Sequence, residues 1–556
     1  MNFNTLFRKK SIDRILEQSE TEGQSLRRVL GVKDLTLFGI AAIIGAGIFS
    51  TIGRAAYQGG PAVALLFVFV AIACVFTALC YAQFASMIPV SGSAYTYAYT
   101  SLGEVVAWVI GWALVLEYAV SNMVISISWS EYFTTMLSGF GIDWPDWLAV
   151  GYQTAADAYA QVSGGATDLP TATLRWAEIY QQAPTFLGMK MLVNLPAGLI
   201  VTFLSVFVVV GIRESKVVNN LLVYLKVGII LFVIIGGAFF VKPENWSPFM
   251  PNGLHGVLGG VAAVFFSFIG FDSISTTAEE CRNPQRDMPR AMLICLGICT
   301  LLYIAIALVL TGMVDYRELG VDDPLAYVFR KVDMDFMAGI ISISAVVAMA
   351  SAILVFQIGQ PRIWMTMSRD GLLWSKFGKI HPKFKTPAFA SVVAGIMVCL
   401  PALFLDMQFV VDLTSVGTFF AFILVCSGIL FLDHNGESRK AKFKIPYVNG
   451  QYLILILFLL AILLFLMQAE PMALFRSRPL LLVLGIVWGG LAIFSLKYKF
   501  SLIPVLGILT NLYLMTELGW SNWLMFGIWL CIGLVIYFSY GYWKSRLAYT
   551  SADSNR

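Results

Sequence analysis

Two glycine-containing stretches inside apolar runs carry the strongest chemical signal in this 556-residue sequence. One is Gly45-Ala46-Gly47, in the middle of residues 37–49; the other is Phe266-Ser267-Phe268-Ile269-Gly270-Phe271, followed at once by Asp272. Glycine weakens a helix, so each stretch predicts a break that bares peptide groups. The half-helix starting after Gly45 would offer N–H groups and a positive dipole end to a carboxylate, while the half-helix ending near Ser267 would offer carbonyls to an ammonium. A small zwitterion fits both seats. Taken singly, either pattern serves equally well for close helix packing.

Ionisable residues are scarce in apolar runs, so those present are candidates for function. Glu117 lies 13 residues beyond Glu104, roughly 20 Å along a helix and near a membrane midplane. It could attract a cationic or polar part of a solute, or be held by a Tyr or Trp donor. Lys226 lies about 13 Å from the near end of its run. Its amine could alternate between charged and neutral forms and stand where a metal cation would otherwise bridge helices, or it could snorkel. Asp272 is placed to pair with a cation or to hydrogen-bond the helix break. Phe271 beside it is a candidate lid or plain packing.

These residues need a scaffold, and composition says which kind. The chain is 58% apolar and 13% charged, against about 25% charged in soluble domains, with a mean hydropathy of +0.79. A soluble globular protein is excluded, and the bilayer is the solvent. Runs of about 20 apolar residues predict an all-α membrane protein of fourteen spans. They lie near 35–59, 62–88, 101–137, 190–212, 217–241, 256–278, 289–313, 337–367, 387–405, 409–432, 451–469, 479–496, 501–518 and 522–543. With the N-terminus inside, 27 Lys and Arg fall on the cytoplasmic side and nine outside, as the positive-inside rule requires. Both termini are then cytoplasmic.

The predicted organisation is a cytoplasmic segment (1–34), a ten-helix core (35–432) with an external stretch (138–189), four accessory helices (433–543) and a tail (544–556). The external stretch reads as a cap or a passive insertion. The interrupted runs are spans one and six, five apart and opposite in direction. This is the pattern of two inverted five-helix repeats with a solute site at their interface.

Other chemistries lack their signatures. The net charge of +4 is too slight to suggest a nucleic acid partner. His255, His381 and His434 are far apart, no phosphate loop occurs, and seven of the eight cysteines sit in apolar runs. No metal, cofactor or enzymatic activity is expected, and no secretory signal precedes the first run.

Several segments together resemble the cationic amino acid transporter family of the amino acid-polyamine-organocation superfamily. They are residues 26–31 with 40–49, residues 266–272 with 278–284, and residues 359–363 with 367–371; the last two spans look like the end of fourteen-span members. The resemblance implies a 5+5 inverted-repeat (LeuT-like) core with discontinuous helices one and six, and sodium-independent, proton-coupled movement of α-amino acids, cationic ones included, across the cell membrane. It implies that peptide groups at Ile43, Gly45, Ala46 and Gly47 hold the α-carboxylate, and that the carbonyls of Phe266, Ser267 and Ile269 hold the α-amine. Phe271 would gate, Glu117 would meet the substrate side chain, and Lys226 would occupy the position of a sodium ion. The chain departs from the pattern at Ala46, where some bacterial relatives carry a hydroxyl, and in its external stretch. An exchanger of amino acids or polyamines and an amino-acid sensor on the same fold are the rivals.

Overall fold

The computed structural model describes residues 6–11, 29–88, 90, 92–166, 169–211, 216–321, 323–467 and 478–547. Residues 26–28 of the family-like motif lie outside them. Most of the described chain is helical. In order, the helices are α1 (Val32–Ile43), α2 (Ile52–Gly59), α3 (Val63–Met87), α4 (Ser93–Ser101), α5 (Glu104–Gly139), α6 (Tyr152–Ser163), α7 (Thr171–Gln182), α8 (Leu195–Val210), α9 (Lys216–Ala238) and α10 (Gly253–Gly259). They continue with α11 (Val261–Phe266), α12 (Pro284–Met313), α13 (Pro324–Lys331), α14 (Asp335–Arg369), α15 (Ala388–Ala402), α16 (Met407–His434), α17 (Leu453–Leu466), α18 (Leu480–Tyr498), α19 (Leu502–Thr516) and α20 (Trp520–Ile536).

Among the described residues, nine helical stretches are long and apolar enough to cross a membrane; helix running from Gly47 to Met87 counts as one of them. α8, α15, α17 and α19 are apolar but shorter, at 16, 15, 14 and 15 residues, under the roughly 20 that a straight crossing takes. Helix therefore occupies the expected runs, while full crossing length is reached in fewer than fourteen of them. α5, with 36 residues, is about 54 Å long and extends well beyond one hydrocarbon core. It packs along α14, and α12 packs along α3. α17 fully buries only Ile454 and leaves most of its other apolar side chains exposed, the reverse of a soluble helix.

Two of the expected spans are broken. Between α1 and α2 the backbone leaves the helix at Ile44 (φ −77°, ψ 92°) and re-forms as a π-helical turn over Gly47–Thr51. The sixth span consists of α10, α11 and a 3₁₀ helix (Phe271–Glu280), with Gly270 at φ +117° as its pivot. That value lies in the region that glycine alone enters freely.

The 138–189 stretch is a built element. α6 and α7 form a hairpin around Ala155, Ile179, Ala183 and Leu192, closed by a short β-ladder, β1 (Thr185–Phe186) with β2 (Met189–Lys190). It docks on the α15–α16 turn, where Gln153 N donates to Phe404 O at 3.0 Å and Thr154 Oγ1 donates to Asp406 at 3.2 Å. At the opposite end of the bundle Glu104 is buried and accepts from Arg8, Tyr99, Tyr537 and Ser545. Lys10 pairs with Asp370 at 2.9 Å. This cluster joins the N-terminal segment, the α5 and α14 ends and the C-terminal helix.

Candidate functional site

The two breaks cross each other in the centre of the bundle. A Cβ added to Gly47 would overlap the backbone and side chain of Ser267, and one on Gly270 would stand 2.9 Å from the Ala42 carbonyl carbon. Glycine at 47 and 270 is thus what lets the broken spans touch. Gly45 differs: a Cβ there would meet Ile125 and Ala352 at 3.7 and 3.8 Å, ordinary contact distances.

Neighbouring side chains hold the first break open. The Lys226 amine, fully buried on α9, donates to Ala41 O at 2.9 Å and Ile44 O at 3.1 Å. Tyr303 on α12 donates its hydroxyl to Ile43 O at 3.1 Å. These are the last carbonyls of α1, the negative end of its dipole, where a cation is favoured. Beyond the break, Thr51 Oγ1 donates to Gly47 O at 2.9 Å and to Ala263 O at 3.1 Å, tying α2's end of the break to α11. Tyr132 on α5 donates to Phe49 O.

In the second break three tight turns follow one another: Ser267 N donates to Val264 O at 3.1 Å, Phe268 N to Phe265 O at 2.8 Å and Ile269 N to Phe266 O at 3.3 Å. Of the three expected carbonyls, that of Phe266 is therefore already engaged within the turn. Gly270 O accepts from Ser273 N at 3.1 Å. Phe271 is fully buried, with its ring 6.0 Å from that of Tyr81 and 5.3 Å from that of Phe422.

Glu117 and Asp272 lie within electrostatic range of each other in the buried bundle. Both are buried, share Tyr81 and Tyr118 as neighbours, and interact with each other. Thr418 on α16 lies close to Glu117, whose Oε2 has no hydrogen-bond partner. Neither carboxylate oxygen of Asp272 has a bond of good geometry, although peptide groups of the Gly270–Ser273 turn are near it. Along the same lengths of α5 and α14, Ser121, both ends of the Asn122 amide, and the carbonyl oxygens of Gln357 and Gln360 are also buried without partners. Buried polar groups in native proteins are nearly always satisfied. Unmet groups of this kind call for water or a polar solute. The expectations singled out neither Tyr303, Thr51 and Tyr81 nor this amide group. Hydroxyls and amides within apolar runs were their only sequence signal. Among the described residues no His, Cys, Asp and Glu cluster could hold a metal ion.

The comparisons with known proteins agree with this architecture. The family described as amino acid permease matches residues 30–491, and that described as the C-terminus of AA_permease matches residues 501–545. The branched-chain amino acid permease BcaP of Bacillus subtilis is 37% identical over 98% of this chain and 99% of its own. The methylthioribose transporter of the same organism is 35% identical over 97% and 98%. The vacuolar cationic amino acid transporter 2 of Arabidopsis thaliana is 30% identical over 98% and 93%. A multi-pass helical bundle with two crossed breaks, matched over most of its length, leads to one conclusion: the chain belongs to the amino acid permease family.

Proposed function

We propose that this protein carries α-amino acids, cationic ones included, across the cell membrane by alternating access, coupled to protons and independent of sodium. In this reading the chain makes fourteen crossings with both termini cytoplasmic. Its first ten spans form two inverted repeats that rock about one central site. The observation that carries the reading is the crossing of the two breaks at Gly47 and Ser267 with the Lys226 amine on the Ala41 and Ile44 carbonyls. An ammonium there supplies the positive charge that a bound metal cation would otherwise provide. Its loss of a proton would loosen the same two carbonyls, linking protonation to the shape of the break.

Peptide groups from Ile43 to Gly47 hold the substrate carboxylate, and the Ser267 and Ile269 carbonyls hold its ammonium, with Phe266 O adding its second lone pair beside the bond from Ile269 N. Phe271 closes over them. Glu117, with Asp272 beside it, sets the preference for the substrate side chain. Two relatives named for amino acids support this substrate class, while a third is named for methylthioribose.

The test is uptake by proteoliposomes of the purified protein, with amino acids and methylthioribose as the panel and an imposed pH gradient as the driving force. Amino acid accumulation that needs the gradient, ignores sodium and is abolished in Lys226→Ala is expected. Gradient-driven accumulation by that variant would refute the coupling role. Counterflow without net uptake would make the protein an exchanger, and uptake of methylthioribose alone would overturn the substrate class.

A further inference from the structure

Between α14 and α15 the chain turns at the end of the bundle that both the N-terminal and the C-terminal segments reach. Lys10 pairs there with Asp370 at 2.9 Å, and Arg546 N donates to Asp370 O at 3.1 Å. Four lysines stand on this turn, Lys376, Lys379, Lys383 and Lys385, and all are exposed. None of them is in an ion pair among the described residues. No acidic residue occurs between Asp370 and Asp406, and Asp370 is already engaged by Lys10 and by the Tyr95 hydroxyl, each at 2.9 Å. The turn itself supplies no counter-charge for its lysines.

Its backbone is folded on itself. His381 N donates to Thr386 O at 2.8 Å and Lys385 N to His381 O at 2.9 Å. The His381 Nδ1 accepts from the N–H groups of Lys383 and Phe384, both at 3.3 Å. Phe377 is buried with its ring 5.0 Å from that of Trp364 and 5.1 Å from that of Phe389. Thr386 Oγ1 donates to Val209 O at 2.7 Å, which ties the turn to the end of α8. The lysines are thus presented by a held backbone, and less ordering is left for a ligand to impose.

Helix length sets the depth of the turn. α8 and α15 have 16 and 15 residues, about 24 and 22 Å at 1.5 Å per residue, against a hydrocarbon core of about 30 Å. A span shorter than the core draws its flanking residues into the headgroup layer. The turn meets the ends of both short helices, so it lies at that level. Trp374, Ile380 and Phe389 are exposed among the lysines. Apolar side chains interleaved with ammonium groups suit this layer, where the former meet acyl chains and the latter reach phosphates. A soluble anion would leave the apolar groups in water.

We propose that the turn between α14 and α15 is a binding site for anionic phospholipid, in which the four lysines meet headgroup phosphates while Trp374 and Ile380 rest against the acyl chains. α5, α8, α14 and α15 pack on one another, so lipid held at this turn fixes that group of helices to one leaflet. In the rocking motion proposed above, the anchored group is the frame against which the broken spans move. That anchoring role rests on the permease reading; the lipid contact does not.

The test places a fluorescent donor on Ser375→Cys in the full-length protein, with the exposed Cys531 replaced by alanine. The protein is reconstituted in phosphatidylcholine vesicles that carry a trace of phosphatidylglycerol or phosphatidylcholine labelled with an acceptor on the acyl chain. Energy transfer should report local enrichment of phosphatidylglycerol by about fivefold or more, the preference that a single lysine at an anionic surface supplies at about 1 kcal/mol. The enrichment should fall as salt is raised. Lys376→Gln, Lys379→Gln, Lys383→Gln and Lys385→Gln combined should bring the two lipids level. Leucine uptake should quicken when phosphatidylglycerol is added to the vesicles, and the combined variant should lose that gain. Equal transfer to both lipids in the unaltered protein would overturn the site without recourse to any variant, and so would a preference that survives in the combined variant. Loss of the preference on adding inorganic phosphate or ATP at constant ionic strength would assign the turn to a soluble anion and overturn the lipid reading. Uptake equally fast with and without phosphatidylglycerol would overturn the anchoring role. The lipid preference with no uptake of any amino acid would support the site and count against the permease reading alone.

Discussion

Substitution of the two glycines of the first break by alanine gives opposite outcomes if the crossing at Gly47 is what shapes the site. A methyl group at 47 would land on the Ser267 Cα, Cβ and Oγ, whereas at 45 it would find Ile125 and Ala352 at 3.7 and 3.8 Å. Overpacking costs about 1–3 kcal/mol where side chains can shift. At Gly47 one obstacle is backbone, so Gly47→Ala belongs at the upper end of that range. Gly45→Ala meets no clash and reduces the freedom of the unfolded chain, worth about 0.4–1 kcal/mol of stability. The difference between the variants should therefore be about 3.5–4 kcal/mol. The assay is thermal unfolding in detergent followed by substrate binding at equilibrium. Gly47→Ala should unfold at clearly lower temperature and lose binding, while Gly45→Ala unfolds no lower than the unaltered protein. Equal effects at the two positions would refute the crossing. So would full binding by Gly47→Ala, because the breaks could then not touch as described.

Four further outcomes follow from the geometry. Glu117→Gln should reduce arginine and lysine uptake more than alanine uptake; equal loss for all three in the proteoliposome assay would count against side-chain recognition. Tyr303→Phe removes the donor to Ile43 O and should lower stability by about 1 kcal/mol or somewhat more, since a buried carbonyl is stranded, measurable as a lower unfolding temperature. Glu104→Gln weakens a buried hub with four donors; a loss of about 1–3 kcal/mol is expected, and protease cutting of the N-terminal segment should quicken. Outside the spans, burial raises the Asp323 carboxyl above its ordinary value while Arg330, at 2.8 Å, opposes the rise. Arg330→Met should raise it further. Because the folded form then keeps its proton longer than the unfolded chain, the variant should lose stability as the pH rises through and above the carboxylate range. A pH-independent melting difference from the unaltered protein would contradict this.

The sequence by itself determined the membrane class, the helical runs and the two break points. Each is a local property: apolar length, charge bias, and glycine where a helix should be continuous. It also marked Lys226 and Glu117, because an ionisable group within an apolar run is costly and therefore conspicuous. Crossing length was less legible, since α8, α15, α17 and α19 stop short of it, and a helix end depends on capping and packing that hydropathy does not record. Only the tertiary structure decided partners. It brought Lys226 to Ala41 and Ile44, which lie 185 and 182 residues away. It drew Asp272 and Glu117 into the surroundings of the same two tyrosines, Tyr81 and Tyr118. Such pairings arise where distant helices cross. Each side chain's local sequence fixes only the helix it stands on, and the packing of the whole bundle fixes what that helix faces.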